Sequence, residues 1–200
     1  MPLIKRLYTK TVNRFLTKEQ KNQFRKIYRL KRTAIPKTRR YEAEIGLLNF
    51  IKQNTSDPGY VMSFCSFGHE IPTTETNRFL AKNGVLLLPR IDIDNLLMKP
   101  IHIDNLNKLE LSPFGNILQP LSNIPAYTDF DKINTILVPG LAFDPISKHR
   151  LGYGKGYYDR FLLNFPNPNT RIFGIGFKEQ ILISLPSEQH DISLSEILFF

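Results

Sequence analysis

Apolar positions along this 200-residue chain recur with two periods, about 3.6 and 2. Phe24, Ile27 and Tyr28 follow helical spacing with Lys and Arg between them. Ile35-Pro36 ends that pattern, because the residue before proline is pushed out of the α region, and Pro36 suits the first turn of a second helix. Tyr41, Ile45, Leu48 and Ile51 or Lys52 then continue at helical spacing until "NTSDPGY" turns the chain. "YVMSFCSF" (60–67) reads as a strand. "TTETNRFLAKNG" (73–84) reads as a helix capped by Thr73 or Thr74, with Gly84 past its end. "VLLLPR" (85–90) and "TILVPG" (135–140) are short apolar runs of the kind expected in strands buried on both faces. "NLLMKPI", "RIFGIGF" (171–177) and "SEILFF" add further strand candidates, whereas 104–130, rich in Pro, Asn and Ser, reads as loop. Between them, Tyr158, Phe161, Leu162 and Phe165 share one helical face.

Strands alternating with helices predict an α/β layer fold with a mainly parallel sheet. There is no internal repeat and no composition break that would split the chain. Hydrophobic content of 42% and charged content of 22% are those of an ordinary globular protein. No run of eighteen apolar residues offers a membrane span, and the basic N-terminus lacks the apolar core of a secretory signal. Cys65 is the sole cysteine, which excludes an internal disulfide and a thiolate metal cluster and fits a reducing cytoplasm.

Charge changes the picture more. The formal net charge is +9, yet residues 1–40 hold 14 Lys/Arg against the single acid Glu19, while the other 160 residues are net acidic. Such a segment is a solvated helix face, a nucleic-acid or membrane contact, or a source of cations for a phosphate-rich small ligand. Basic nucleic-acid modules interleave stacking aromatics, and Tyr28 and Tyr41 read instead as helix-face residues.

The stretch "RLGYGKGYYDRFL" (150–162) carries the most chemistry. Glycines let a backbone approach a ligand closely, and amides at a helix start form an anion site that Arg150 and Lys155 would reinforce. Its spacing matches neither the P-loop nor the dinucleotide fingerprint, so a plain glycine-rich turn before a helix remains the alternative. Asp159 in the next turn is either stabilised by the helix dipole or a ligand for Mg²⁺. Glu70 lies beyond a predicted strand end, where open α/β sheets bind ligands. Cys65 reads as a small buried hydrophobe in a strand, and His190-Asp191 as a surface turn or a metal pair. His102 and Asp104 stay unassigned.

Taken together, "LVPGLAFDPISKHRLGYGKGYYDRFL" (137–162) resembles the signature of the 5-formyltetrahydrofolate cyclo-ligases, VPG-x-x-FD followed by RLG-x-G-x-GYYD-x-x-L. "KNQFR" (21–25), "SFGHEIPT" (66–73), "VLLLPR", "FGNILQP", "FKEQI" and "LPSEQHDISL" resemble other family segments in the same order, so the resemblance runs from about residue 21 to the end. It departs in the longer turn "DPISKH" and in Gln119, where the family usually has Glu. The resemblance implies one cyclo-ligase domain over 21–200 after a basic segment 1–20, with a three-layer α/β/α, Rossmann-like fold. It implies that ATP and Mg²⁺ drive conversion of 5-formyltetrahydrofolate, whose tail can carry several glutamates, to 5,10-methenyltetrahydrofolate through a phosphorylated formyl group. Lys155 and Arg150 would be catalytic. Lys21, Arg25 and the loop Arg150, Leu151, Gly152, Tyr153, Gly154, Lys155, Gly156, Tyr157 and Tyr158 would bind ATP. Cys65, Glu70 and Tyr153 to Tyr157 would bind the folate, and Asp159 and Asp191 the metal. A cytoplasmic monomer with no nucleic-acid or membrane partner is the expectation.

Overall fold

The computed structural model describes residues 18–54, 59–113, 117–183, 185 and 192–200. His190 and Asp191 lie outside the described residues, as do 1–17 of the basic segment. The expected boundary at residue 20 falls inside helix α1, Lys18–Thr33. Then follow α2 (Lys37–Asn54), β1 (Tyr60–Met62), α3 (Thr74–Lys82), β2 (Leu86–Asp92) and β3 (Leu97–His102). Two short strands, β4 (Leu109–Leu111) and β5 (Leu118–Pro120), form a hairpin inside the region expected to be loop. The chain ends with β6 (Ile133–Pro139), β7 (Ala142–Phe143), β8 (Arg150–Leu151), α4 (Tyr157–Leu163), β9 (Arg171–Gly176) and β10 (Glu196–Phe199).

Six strands form one sheet in the order β10-β9-β6-β1-β2-β3, parallel except for β3, which returns antiparallel beside β2. Alternate residues supply two apolar faces. Val61, Leu86, Leu88, Leu137 and Phe173 pack under α2 and α3. Met62, Leu87, Ile136 and Val138 pack against Leu162 of α4. Leu86, Leu87, Leu88 and Leu137 are wholly buried, each stabilising the fold by about 1.5–3 kcal/mol through apolar transfer. The mainly parallel α/β sheet is the one the element pattern predicts, and the layers are the three-layer α/β/α arrangement that the resemblance implies.

Several local expectations change. The buried stripe of α2 is Ala43, Leu47 and Ile51, while Tyr41 points out at 64% exposure. Beside that stripe a Cβ at Gly46 would lie 2.8 Å from Phe200 Cδ1, so the Phe200 ring packs directly on the helix backbone there. β1 stops at Met62 rather than running to Phe67, because the Phe64 carbonyl accepts from Thr73 Oγ1 (2.7 Å) and Asn77 Nδ2 (2.9 Å) instead of a sheet partner. Thr73 therefore stands at the start of α3 without capping it through its side chain. Cys65 consequently lies in the loop after β1, half-buried, not in a strand.

The longer turn "DPISKH" closes without glycine because Lys148 itself takes the left-handed region (φ 58°). The amide of Leu194 donates to its carbonyl, and its ammonium donates to the Ser195 carbonyl, each at 2.9 Å. Asp144 organises this turn. Its Oδ1 accepts from the Ile146 amide and its Oδ2 from the Leu185 amide, both at 2.9 Å. Burial alone would raise its pKa, but the amides of Ile146, Leu185 and Ser147 outweigh that and hold it below the usual carboxylate value. A depressed carboxyl contributes stability that is fully present above the unfolded value of about 3.9 and is lost as pH falls through the folded value. Asp144→Asn is expected to be less stable than wild type at pH 6, with the difference shrinking below about pH 4. Urea denaturation at several pH values would read this, and a pH-independent difference would contradict it.

Candidate active site

The β1 chain continues to β2 through α3 on one face of the sheet, and β6 continues to β9 through α4 on the other. The connections therefore diverge between β1 and β6, and in such sheets a crevice opens at the carboxyl ends of the diverging strands. Here that crevice is a cavity of about 780 Å³, within the range of small-molecule sites. The loop after β1 supplies Phe64, Cys65, Phe67 and Glu70. The glycine loop between β8 and α4 supplies Gly152 to Tyr158, and α1 supplies Lys18, Lys21 and Arg25. Pro89 and Ile91 of β2, Met98 of β3, and Ser112 and Gln119 of the β4–β5 hairpin complete an apolar end.

The glycine loop is held open by neighbours. Arg25 Nε donates to the Gly152 carbonyl at 3.0 Å, and its guanidinium lies so close to Gly154 that a Cβ there would be 3.2 Å from Cζ. Gly154 and Gly156 take φ of 98° and 68°, which an L side chain would strain. Arg150 is buried behind the loop and donates from Nη2 to Asp159 Oδ1 at 2.7 Å. Lys155, exposed on the loop, forms no ion pair among the described residues. The lining carries six cations, Lys18, Lys21, Arg25, Arg150, Lys155 and Arg160, against two carboxylates, Glu70 and Asp159. This excess favours an anionic ligand.

At the other wall Glu70 is buried. Its Oε2 accepts from the Phe67 amide at 2.8 Å, and its Oε1 accepts from the Tyr153 hydroxyl. Arg32, itself buried, donates to the same hydroxyl and to the Gly140 carbonyl, and stands 3.9 Å from Glu70. Burial raises the Glu70 pKa, and Tyr153, the Phe67 amide and Arg32 offset only part of that rise. Burial also pushes the Cys65 thiol up to about 12, which removes it as a thiolate nucleophile at neutral pH. The Tyr158 hydroxyl is buried without a partner among the described residues, and the Arg150 guanidinium lies 5.6 Å from its ring centre.

All the expected site residues that are described line this one cavity. Sequence reasoning missed Arg32, Arg160, Lys18 and Ser112. Arg32 and Lys18 look like members of a solvated basic run, and no local signal separates the buried one. His102 and Asp104 do not act together: His102 Nε2 lies 3.0 Å from the Gly84 carbonyl, while Asp104 pairs with Lys108 at 2.8 Å. Among the described residues no group of three His, Cys, Asp or Glu side chains could hold a metal ion, and no helix is long and apolar enough to cross a membrane.

The model of the 5-formyltetrahydrofolate cyclo-ligase family matches residues 17–199. The chain belongs to this family. Among cyclo-ligase relatives, a Caenorhabditis elegans protein named "probable 5-formyltetrahydrofolate cyclo-ligase" is 36% identical over 78 residues, 37% of each chain. The Mus musculus 5-formyltetrahydrofolate cyclo-ligase is 28% identical over 144 residues, 68% of this chain and 70% of its own. The aligned stretch thus spans about a third of the worm protein and over two thirds of the mouse one. The solved structure of Aquifex aeolicus 5,10-methenyltetrahydrofolate synthetase superposes with a TM-score of 0.75 over 88% of each chain, at 24% identity. That likeness shows the shared fold.

Proposed function

We propose that this cyclo-ligase family member converts 5-formyltetrahydrofolate to 5,10-methenyltetrahydrofolate with ATP and Mg²⁺, releasing ADP and phosphate. The observation that carries the reading is one cavity with a cationic glycine loop on one side and a buried carboxylate with apolar walls on the other. A polyanion and a flat heteroaromatic ring can meet there.

In this reading Lys21, Arg25, Lys155 and the loop amides of Gly152 to Tyr158 bind the ATP phosphates. Glu70, Cys65 and the ring of Tyr153 hold the folate. The formyl group is a poor electrophile until its oxygen accepts the terminal phosphoryl group of ATP. N10 then attacks the activated carbon, and phosphate leaves with that oxygen. Phosphoryl transfer asks the protein mainly for alignment and charge neutralisation, which Lys155 and Arg25 supply. Holding N10 against the carbon makes ring closure unimolecular, which can remove on the order of 7–11 kcal/mol of barrier. Asp159 fits a Mg²⁺ site. Arg150 occupies only its Oδ1, and Oδ2 accepts no hydrogen bond among the described residues. A single carboxylate beside substrate phosphates is a donor set that Mg²⁺ takes, and the bound ion would neutralise charge on the transferring group. Lys18 at the cavity wall would meet a folate tail of several glutamates.

Calorimetry tests the shared cavity. 5-Formyltetrahydrofolate and a non-hydrolysable ATP analogue with Mg²⁺ are expected to bind together, one of each per chain. Mutually exclusive binding would contradict two adjoining subsites.

A further inference from the structure

Arg32 is a buried cation to which the reaction above gives no part. It leaves the last turn of α1 and points inward, only 4% exposed. Its Nη1 donates to the Gly140 carbonyl at 3.3 Å and to the Tyr153 hydroxyl, and its guanidinium lies 5.4 Å from the Tyr153 ring centre. A hydroxyl that accepts from an arginine keeps its single proton for another partner. For Tyr153 that partner is Glu70 Oε1. The three side chains form one directed chain, from α1 through the glycine loop to the loop after β1.

Both ends of the chain are anchored. Gln180 Nε2 donates to the same Gly140 carbonyl at 2.8 Å. Arg40 Nη2 donates to the Arg32 carbonyl, and its Nη1 donates to the His69 carbonyl at 2.8 Å, one residue before Glu70. The Phe67 amide donates to Glu70 Oε2. Each Glu70 oxygen thus accepts one bond from the protein and keeps a lone pair for a ligand donor. Arg32 does not line the cavity, so it reaches a ligand only through Tyr153 and Glu70.

We propose that Arg32 is a positioning residue for folate binding: it turns the Tyr153 proton onto Glu70 and so presents that carboxylate to the ring, an assignment that rests on the folate reading above. A carboxyl group accepts ring N–H donors on both oxygens only while it is ionised. Burial opposes ionisation of Glu70, and Tyr153, the Phe67 amide and Arg32 favour it. The groups facing Glu70 are Arg32 of α1, Tyr153 of the glycine loop and Tyr158 of α4, with Cys65 and His69 on its own loop. Burial pushes the thiol and both hydroxyls up, so they stay neutral near pH 7.

Tyr153→Phe keeps the ring and breaks the chain at its middle, and Arg32→Met removes its source. Calorimetry with 5-formyltetrahydrofolate from pH 6 to pH 8.5 reads both. Each Kd is expected to rise about 3- to 10-fold at pH 8.5, and the ratio to wild type to grow at least about threefold further at pH 6, where an unsupported Glu70 is protonated. The exposed His69 is common to all the proteins and cancels in that ratio. The Kd ratio for the ATP analogue with Mg²⁺ is expected to show no such trend. A stability defect runs the other way, because a carboxyl raised in the folded state costs stability as pH climbs. Tyr153→Phe carries the test alone if Arg32→Met does not fold. Folate Kd ratios that stay constant with pH, or ATP-analogue ratios that follow the same trend, would overturn this inference alone. A wild-type chain that binds no 5-formyltetrahydrofolate would overturn the functional reading and this inference with it.

Discussion

Lys155→Ala is expected to lower kcat by about 10²–10³-fold while leaving Tm within a degree or two of wild type. Removing one preorganised charge from a developing anion typically costs that much. Stability should hold because the Lys155 side chain is exposed and makes no ion pair among the described residues. The other cation of the stretch, Arg150, is already engaged by Asp159. Lys155 is thus the loop charge available to a transferring phosphoryl group. If KM for ATP rose and kcat did not change, Lys155 would contribute only ground-state binding. Steady-state kinetics with ATP varied at saturating folate separates the two outcomes.

Arg32→Met is expected to cost about 3–5 kcal/mol of stability at pH 7.5, the usual penalty for leaving one member of a buried ion pair alone. Arg32 and Glu70 are buried and bridged by the Tyr153 hydroxyl, so without the guanidinium Glu70 must ionise in an apolar wall. The pH dependence has a definite sign. The folded pKa of Glu70 already lies above its ordinary value because of burial, and losing Arg32 raises it further. A carboxyl raised in the folded state loses stability as pH climbs from the unfolded value of about 4.3 towards the folded one. The deficit of Arg32→Met should therefore shrink between pH 7.5 and pH 5. The double variant Arg32→Met/Glu70→Leu should recover most of the loss, since an apolar pair of similar volume replaces a buried ion pair at little net cost. Urea denaturation of the four proteins reads the cycle. A double variant no more stable than Arg32→Met would contradict the pairing.

The parts of this fold legible in the sequence are those whose signal is local. The apolar runs at Leu86–Leu88 and Ile136–Val138 can be satisfied only between two layers, and the structure places them there. The glycine loop announces itself by composition, and Gly154 and Gly156 do take positive φ. What the sequence hid depends on partners distant in the chain. β1 ends early because Thr73 and Asn77 claim the Phe64 carbonyl. The β4–β5 hairpin escaped notice because each strand has three residues, too few for a period of two to register. Arg32 is one of 14 basic residues in the first forty, and only the fold sends it inward to Tyr153 and Glu70. Most of the candidate site was thus visible as a loop and a few flanking residues. Its buried electrostatic support and its hairpin wall were not.

The central claim is the ATP-driven ring closure, and the most direct measurement is the absorbance band of 5,10-methenyltetrahydrofolate. Purified protein would be mixed with 5-formyltetrahydrofolate, with and without ATP and Mg²⁺, and ADP counted in parallel. The account predicts a band that grows only when ATP and Mg²⁺ are both present, with one ADP formed per methenyl product. A band that grows without ATP, or no band from a protein that binds both ligands, would contradict it.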